Sequence, residues 1–321
     1  IACGNGTDAL QVAMMALELH PGDEVITTPF TFISTIEVIK LLGLKPLLVD
    51  VEEDSFNMDP EHLQRAATQH TRAIVPVHLF GQCAHMEKIM EFAVEAGMYV
   101  IEDNAQAIGA DYHFRDGSSR KAGTIGDVGT TSFFPSKNLG AYGDGGALFT
   151  NDDRLAEKLK ALVNHGMVQR YHYDFVGVNS RLDTLQAAIL RVKLKHLQEY
   201  HQARRRAAKF YDEALSGLAD VKIPARSPFS SHVFHQYTIQ VPAEVRDRLK
   251  QWLESKKIPS MIYYPVPLHL QQAYSDLGYG AGDLPVSERL STRVLSLPMH
   301  TELDTEQLAR ISDQIHAFFK Q

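Results

Sequence analysis

The sequence is poor in cysteine, carries little excess charge and has no long apolar run. Its 321 residues include two cysteines, Cys3 and Cys83, whose spacing fits neither a metal site nor a disulfide framework. We therefore expect a reducing, cytoplasmic location. A net charge of −7 and a pI near 6.1 argue against binding to nucleic acid or a membrane surface. No apolar stretch reaches the roughly 18 residues of a membrane-spanning helix, and no signal-like segment is visible.

Metal-binding patterns are also missing. Fifteen histidines occur without a His-Glu-x-x-His pair, so we expect no metal site. His78 and His85 are interpreted as polar residues near the edge of a sheet rather than as ligands.

Short apolar runs alternate with helical patterns along the chain, which predicts a mostly parallel sheet covered by helices on both faces. With 44% hydrophobic and 22% charged residues, the chain can bury a large core. We predict a large domain over 1–200, and a bridging helix with a small C-terminal α/β domain over 201–321. The predicted strands are Glu24–Thr28, Lys45–Val51, Arg72–Leu79, Tyr99–Asn104, Val128–Phe133 and Gly146–Asn151.

Three helical features stand out. Asp59 is the expected N-cap of a helix whose first residue is Pro60. From Arg181 onward, apolar residues at helical spacing predict a long amphipathic helix that leaves the large domain; they are Leu182, Leu185, Ile189 and Val192. The three arginines at 204–206 are interpreted as a solvent-exposed helix face.

A lysine in a glycine-rich run and an acid at a strand end suggest chemistry. Lys137 lies in the run 131–140, and Asp103 ends the apolar strand that begins at Tyr99. Pyridoxal 5′-phosphate (PLP) chemistry requires a lysine amine for the aldehyde and a carboxylate for the pyridinium nitrogen. Each residue alone has an ordinary alternative, because loop lysines are usually solvated. Ligand sites do gather, however, at the carboxyl ends of parallel strands.

The chain opens with a glycine turn that leads into a helix. Gly4-Asn5-Gly6-Thr7-Asp8 precedes apolar residues at helical spacing, and free N–H groups at a helix N-terminus bind phosphate. Thr7 and Ser132 could add hydroxyl groups. The turn also satisfies a loose dinucleotide fingerprint, which would indicate a nicotinamide enzyme. That reading fails, because Asp23 and Glu24 lie at the start of the second strand instead of closing it.

Five segments in this order resemble the DegT/DnrJ/EryC1/StrS family of PLP-dependent nucleotide-sugar aminotransferases. The similarity extends from residue 1 to the segment 295–300 and implies a three-layer α/β/α structure of fold type I. The segments are Gly-Asn-Gly-Thr-Asp-Ala-Leu (4–10), Glu-Asp-Asn-Ala-Gln-Ala (102–107), Ser-Phe-Phe-Pro-Ser-Lys (132–137), Gly-Asp-Gly-Gly-Ala (143–147) and Gly-Val-Asn-Ser-Arg-Leu-Asp-Thr-Leu-Gln-Ala-Ala (177–188).

The resemblance implies a role for each matching residue. Lys137 would form the Schiff base and Asp103 would pair with the ring nitrogen. Phe32 would lie against the ring face, and Gln106 would lie near the ring hydroxyl. The residues implied at the cofactor phosphate are Gly6, Thr7, Asp8 through its backbone, Ser132, and Asn179 of the neighbouring subunit.

The resemblance is less specific about the residues that contact the substrate than about those that bind the cofactor. Arg181, Tyr263, Tyr264 and His269 fall where family members border the sugar, and aromatic rings with polar groups suit carbohydrate edges. Packing of the small domain is the alternative explanation for the aromatic run Tyr263–His269.

The resemblance therefore implies a homodimer with shared active sites that transfers an amino group from L-glutamate to a nucleotide-linked keto sugar. The details of the resemblance favour a UDP- or dTDP-linked 3-keto hexose as the substrate, in amino-sugar and cell-surface polysaccharide biosynthesis. A 4-keto substrate is an alternative. A sugar dehydratase and a non-catalytic regulatory protein are two further alternatives. The dehydratases of the family, however, have histidine at the position of Lys137. Members usually have several dozen residues before the glycine turn, so we expect Ile1 to lie partway into the natural protein.

Overall fold

The computed structural model describes residues 1–320. Its strands are β1 (Ala2–Cys3), β2 (Glu24–Thr27), β3 (Lys45–Leu48), β4 (Thr71–Ile74), β5 (Tyr99–Asp103), β6 (Asp111–His113), β7 (Ser119–Lys121), β8 (Val128–Ser132), β9 (Gly146–Phe149), β10 (Met167–Gln169), β11 (His172–Tyr173), β12 (Tyr237–Gln240) and β13 (Val294–Leu297). Its α-helices are α1 (Gly6–Ala16), α2 (Ser34–Leu41), α3 (Leu63–Ala66), α4 (Met86–Ala96), α5 (Asp153–Leu162), α6 (Thr184–Lys193), α7 (Leu197–Leu215), α8 (Ala243–Ser255), α9 (Pro285–Arg293) and α10 (Thr305–Phe319).

Seven strands form one twisted sheet in the order β1-β9-β8-β5-β4-β2-β3. β9 runs antiparallel to β1 and β8, and the other pairs are parallel. The predicted mostly parallel sheet is confirmed, and each predicted strand overlaps an observed one. β4 ends at Ile74, earlier than predicted, and Pro76 two residues later has no N–H with which to continue a ladder.

Helices cover both faces of this sheet. One core lies under α1, α2 and α5, where residues such as Leu10, Val38 and Leu159 are buried. The other lies under α4 and includes Met86 and Ile89. These two cores give the three-layer architecture that the resemblance implied.

The C-terminal region has its own core. β12 and β13 pair antiparallel, and α7, α8 and α10 pack around them through buried residues such as Tyr211, Leu253 and Ile311. The domain boundary near residue 200 stays a prediction. Within residues 1–320, no helix is both long enough and apolar enough to cross a membrane.

Two helix predictions are refined by the structure. Asp59 is an N-cap and accepts a hydrogen bond from the Glu61 amide at 2.9 Å, but it opens a 3-10 turn that precedes α3. The long helix predicted from Arg181 is two helices, α6 and α7, separated by a 3-10 turn at Leu194–His196.

The interpretation of 204–206 as a solvated face was wrong for Arg204, which is 7% exposed. Its guanidinium donates hydrogen bonds to the carbonyl oxygens of Phe234 at 2.9 Å and Met299 at 3.1 Å. Phe234 has a φ of 48°, outside strand geometry, so its carbonyl needs a side-chain donor. Arg206 is exposed as predicted.

Candidate active site

Asp103 and the Lys137 loop meet at one edge of the sheet. Asp103 is the last residue of β5, and Lys137 lies five residues after the end of the neighbouring parallel strand β8. Asp103 is paired with Thr130 in the sheet register, so the carboxyl ends of both strands open on the same side. The two residues that the sequence picked out are therefore brought together.

The Asp103 carboxylate is held from two sides. It is 6% exposed and accepts hydrogen bonds from Thr35 Oγ1 at 2.8 Å and from the Ala105 amide at 3.1 Å. Because each carboxylate oxygen has two lone pairs, Asp103 can accept a further charged donor. Sequence reasoning missed Thr35, although it belongs to the same Thr-Pro-Phe-Thr-Phe-Ile-Ser-Thr run as Phe32.

Lys137 is the amine of the site. Burial lowers its pKa to about 8, while the nearby Asp103 charge works in the opposite direction. Across residues 1–320, no carboxylate forms an ion pair with its ammonium group. About one lysine in ten is then a free amine at pH 7, given that pKa of about 8. The unprotonated form is the one that attacks a carbonyl.

The glycine turn forms the N-terminus of α1. Asn5 is the N-cap, and its side chain accepts a hydrogen bond from the Asp8 amide at 2.8 Å. The amides of Gly6 and Thr7, in the first turn, have no intrahelical partner. The backbone of Asp8 already has a partner, and its role as a phosphate donor stays a prediction.

Ser132 lies against this turn. A Cβ added at Gly6 would lie 2.7 Å from Ser132 Cβ, so only glycine allows this approach. Ser132 Oγ accepts from the Phe134 amide at 3.2 Å and keeps its own proton to donate. Thr7 Oγ1 lies 2.9 Å from Ser34 Oγ, which adds a hydroxyl that the sequence did not mark. Two amides, these hydroxyl groups and a helix dipole fit a phosphate ester.

A glutamine connects the site to the C-terminal region. Gln106 Oε1 accepts from the Phe80 amide at 2.8 Å, and Gln106 Nε2 donates to the Tyr264 hydroxyl at 3.1 Å. Burial raises the pKa of Tyr264, and the Asp103 charge adds to this, so the phenol stays protonated. Phe32, in the loop before α2, is 56% exposed.

The remaining candidates lie further out. Asn179 and Arg181 are exposed, and Arg181 Nε donates to Asn179 Oδ1 at 3.0 Å. Ser180 between them is buried and accepts a hydrogen bond from the Gly4 amide at 2.9 Å, which places this segment beside the glycine turn. His269 is buried and bonded to Glu288 at 3.1 Å. The Tyr263 ring lies edge-on to that of Tyr264, with 5.8 Å between centroids.

Sequence reasoning also missed His235. It is 7% exposed, and among residues 1–320 its Nδ1 finds no hydrogen-bond partner. Burial and the charges of Lys137 and Arg204 hold its pKa well below the usual range, so the imidazole is neutral. No motif or spacing marks this histidine in the sequence.

An amine of lowered pKa, a buried carboxylate and a helix N-terminus at one end of a mostly parallel sheet define a transferase of fold type I. Residues 1–316 match the DegT/DnrJ/EryC1/StrS aminotransferase family. The chain belongs to this family, and the sequence-based prediction of an aminotransferase is confirmed.

Curated relatives match along nearly the whole chain. A "pleiotropic regulatory protein" of Geobacillus stearothermophilus is 47% identical over 100% of this chain and 85% of its own length. The UDP-N-acetyl-3-dehydro-alpha-D-glucosamine 3-aminotransferase of Acidithiobacillus ferrooxidans is 48% identical over 98% and 83%. The UDP-2-acetamido-2-deoxy-3-oxo-D-glucuronate aminotransferase of Pseudomonas aeruginosa is 44% identical over 96% and 83%.

Solved structures of relatives have the same fold. That of DesV from S. venezuelae, in complex with a ketimine intermediate, superposes with a TM-score of 0.95 at 39% identity, covering 100% of this chain and 85% of that one. The structure of ntda from Bacillus subtilis, with bound cofactor PMP, has a TM-score of 0.92 at 32% identity, covering 100% and 73%.

Proposed function

We propose that this protein transfers an amino group, through PLP, from L-glutamate to a nucleotide-linked 3-keto hexose. The observation that carries the proposal is the placement of Lys137, with its pKa near 8, in the loop after β8 and of Asp103 at the end of the adjacent strand β5. An amine that can react near neutral pH and a carboxylate that can hold a cation are the groups this chemistry needs.

The residues at the strand ends and at the N-terminus of α1 could bind the different parts of the cofactor. Gly6, Thr7 and Ser132 would bind the phosphate, and Asp103 would hold a protonated ring nitrogen through a charge-assisted hydrogen bond. PLP, when bound, supplies an aldehyde for amines and a ring that withdraws electrons from the carbon bearing the amino group. Phe32 and Gln106 are proposed contacts of the ring.

Lys137 acts as the proton carrier in this proposal. As a free amine, Lys137 Nζ takes a proton from the carbon that bears the amino group of the donor. As an ammonium, it delivers a proton to the sugar carbon that receives the amino group. A group with a pKa near the working pH can do both.

The keto-sugar substrate is inferred from two relatives. Those at 48% and 44% identity are named for amino transfer at position 3 of UDP-linked sugars. Arg181, Tyr263, Tyr264 and His269 are the proposed sugar contacts, of which Tyr264 is connected to Gln106. A 4-keto sugar is the alternative, since contacts worth about 1–3 kcal/mol decide between such substrates.

A homodimer would complete the site. α6 carries Leu185 at 70% exposure and Val192 at 62%, and exposed apolar surface of this kind favours association. Asn179, two residues before Arg181 on the adjoining segment, is proposed to reach the cofactor phosphate of the partner subunit. A cytoplasmic location is proposed from the two buried, free cysteines.

A regulatory role is the second candidate, because one relative at 47% identity is named for regulation. A substrate screen separates the two. The purified protein with PLP and L-glutamate would be incubated with UDP- and dTDP-linked 3-keto and 4-keto sugars, and amino sugar would be measured by mass spectrometry. We expect turnover with a 3-keto sugar. Turnover only with 4-keto sugars would correct the substrate, and PLP binding without turnover of any sugar or of glutamate would favour regulation.

A further inference from the structure

A second buried carboxylate lies directly behind Asp103. Glu102 is 0% exposed and, as the preceding residue of β5, points to the opposite face of the sheet. It accepts four hydrogen bonds, from His78 Nε2 at 2.8 Å and from the amides of Gly123 at 2.8 Å, Ile125 at 2.6 Å and Gly126 at 2.7 Å.

The hydrogen bonds of His78 fix where its proton lies. His78 Nδ1 accepts from the Ala84 amide at 3.1 Å, so the ring carries its hydrogen on Nε2 and donates it to Glu102. The imidazole is therefore neutral and Glu102 keeps a full negative charge. Burial acts to raise the pKa of Glu102, and the hydrogen bonds from His78 and from the amides of Gly123 and Gly126 act to lower it. His78 is thus a buried polar residue with a defined partner, and it follows β4, an interior strand of the sheet.

Hydrogen bonds from the neighbouring strands also hold the backbone of Glu102 and Asp103. The His78 amide donates to the Asp103 carbonyl at 3.0 Å, and the Asp103 amide donates to the Pro76 carbonyl at 2.9 Å. On the other side, Thr130 Oγ1 donates to the Glu102 carbonyl at 3.1 Å. The end of β5 is thereby fixed between its two neighbouring strands.

We propose that Glu102 is a positioning residue for Asp103, and that its buried charge helps Asp103 to keep a cationic ring nitrogen protonated. This inference depends on the proposed PLP site. Asp103 lies on the site face and Glu102 on the far face, so Glu102 acts through the strand and through space without touching the cofactor. A buried charge that interacts with the ring nitrogen by about 1.4 kcal/mol shifts the titration of that nitrogen by about one pH unit.

Other titratable groups surround the pair. Lys137 and Tyr264 face Asp103, and the neutral His235 faces Lys137. His78 and Cys83 face Glu102, and burial raises the pKa of Cys83 to about 12, so its thiol stays neutral. Lys137 is then the group of this set whose positive charge opposes the effect of Glu102.

The test uses PLP labelled with ¹⁵N in the ring, bound to the full chain, with the ¹⁵N chemical shift followed against pH. In Glu102→Gln the ring nitrogen should lose its proton about one pH unit lower than in wild type. The double variant His78→Gln/Glu102→Gln lets two amides pair, and it should show the same shift if the single variant folds poorly.

Asp50→Asn is the matched control. Asp50 is 4% exposed and accepts from the amides of Val51, Val286 and Ser287 and from the Ser287 hydroxyl, so the variant removes an equally buried charge. Asp50 follows β3, three strands from β5 and so roughly 14 Å away. A titration unchanged in either folded Glu102 variant, or shifted as much in Asp50→Asn, overturns the inference. Failure of wild type to bind labelled PLP would instead overturn the proposed function.

Discussion

The two walls of the site are built in different ways. The proposed cofactor wall consists of Gly6, Asp103 and Ser132, which the sheet register and one helix N-terminus place without help from the C-terminal region. The proposed substrate wall around Tyr264 depends on a hydrogen bond to Gln106, a residue 158 positions away in the sequence. The cofactor wall can therefore be read from short motifs, whereas the substrate wall exists only after the C-terminal region has packed.

Removing the side-chain amine of Lys137 should have the largest effect. We expect Lys137→Ala to lower transamination by about 10³-fold or more while the fold remains, because Lys137 lies in a loop and provides chemistry. Steady-state kinetics with glutamate, together with circular dichroism, measure this. Lys209→Ala is the control, since the side chain of Lys209 is 79% exposed on α7 and should be dispensable. Substantial activity in Lys137→Ala would contradict the assignment.

Subunit mixing tests whether the partner subunit contributes Asn179 to the site. Lys137→Ala and Asn179→Asp should each be inactive, and mixing with subunit exchange should restore about a quarter of the activity, because half of the dimers then contain one intact site. Activity after mixing is compared with that of each variant alone. No recovery, with exchange verified by native mass spectrometry, would mean that Asn179 serves its own subunit.

Asp103→Asn keeps the shape of the cofactor wall and removes its charge. The half-reaction with glutamate should slow by about 10²-fold, whereas PLP affinity should change much less. Single-turnover absorbance measures the rate, with Asp50→Asn as a buried control. A rate within twofold of wild type would show that Asp103 is not the ring partner.

The pH dependence of PLP incorporation reports on Lys137. Its pKa is lowered to about 8, so below that pH the free amine increases about tenfold per pH unit, and above it the amine is mostly free. The rate of incorporation into protein without PLP should follow this curve and level off above pH 8. Binding of 4′-deoxypyridoxine 5′-phosphate, which lacks the aldehyde, should not follow it. A plateau reached only near pH 10 would mean that the amine is solvated.

The smallest change concerns the substrate wall. Tyr264→Phe removes the acceptor of the Gln106 bond, worth about 1 kcal/mol, and should raise KM for the sugar about fivefold with little change in kcat. Tyr112→Phe is the control, because it loses a comparable bond from the amide of Glu87 in α4. Equal effects on KM in both variants would show that Tyr264 has no specific role in binding the sugar.

These differences explain what the sequence could predict. Asp103 and Lys137 were identified because strand ends and glycine-rich loops leave local patterns. Arg204 was misread because its carbonyl partners, on Phe234 and Met299, are distant in sequence. His235 and the Glu102–His78 pair were missed for the same reason, since burial and pairing depend on tertiary contacts.

Covalent trapping tests the central claim most directly. Sodium borohydride reduction of the PLP-loaded protein converts the lysine–aldehyde linkage into a stable amine, and peptide mass spectrometry then locates the label. The account predicts a single labelled residue, Lys137, and no label after prior addition of glutamate has removed the linkage. A label on another lysine, or none on Lys137 in protein shown to hold PLP, would contradict it.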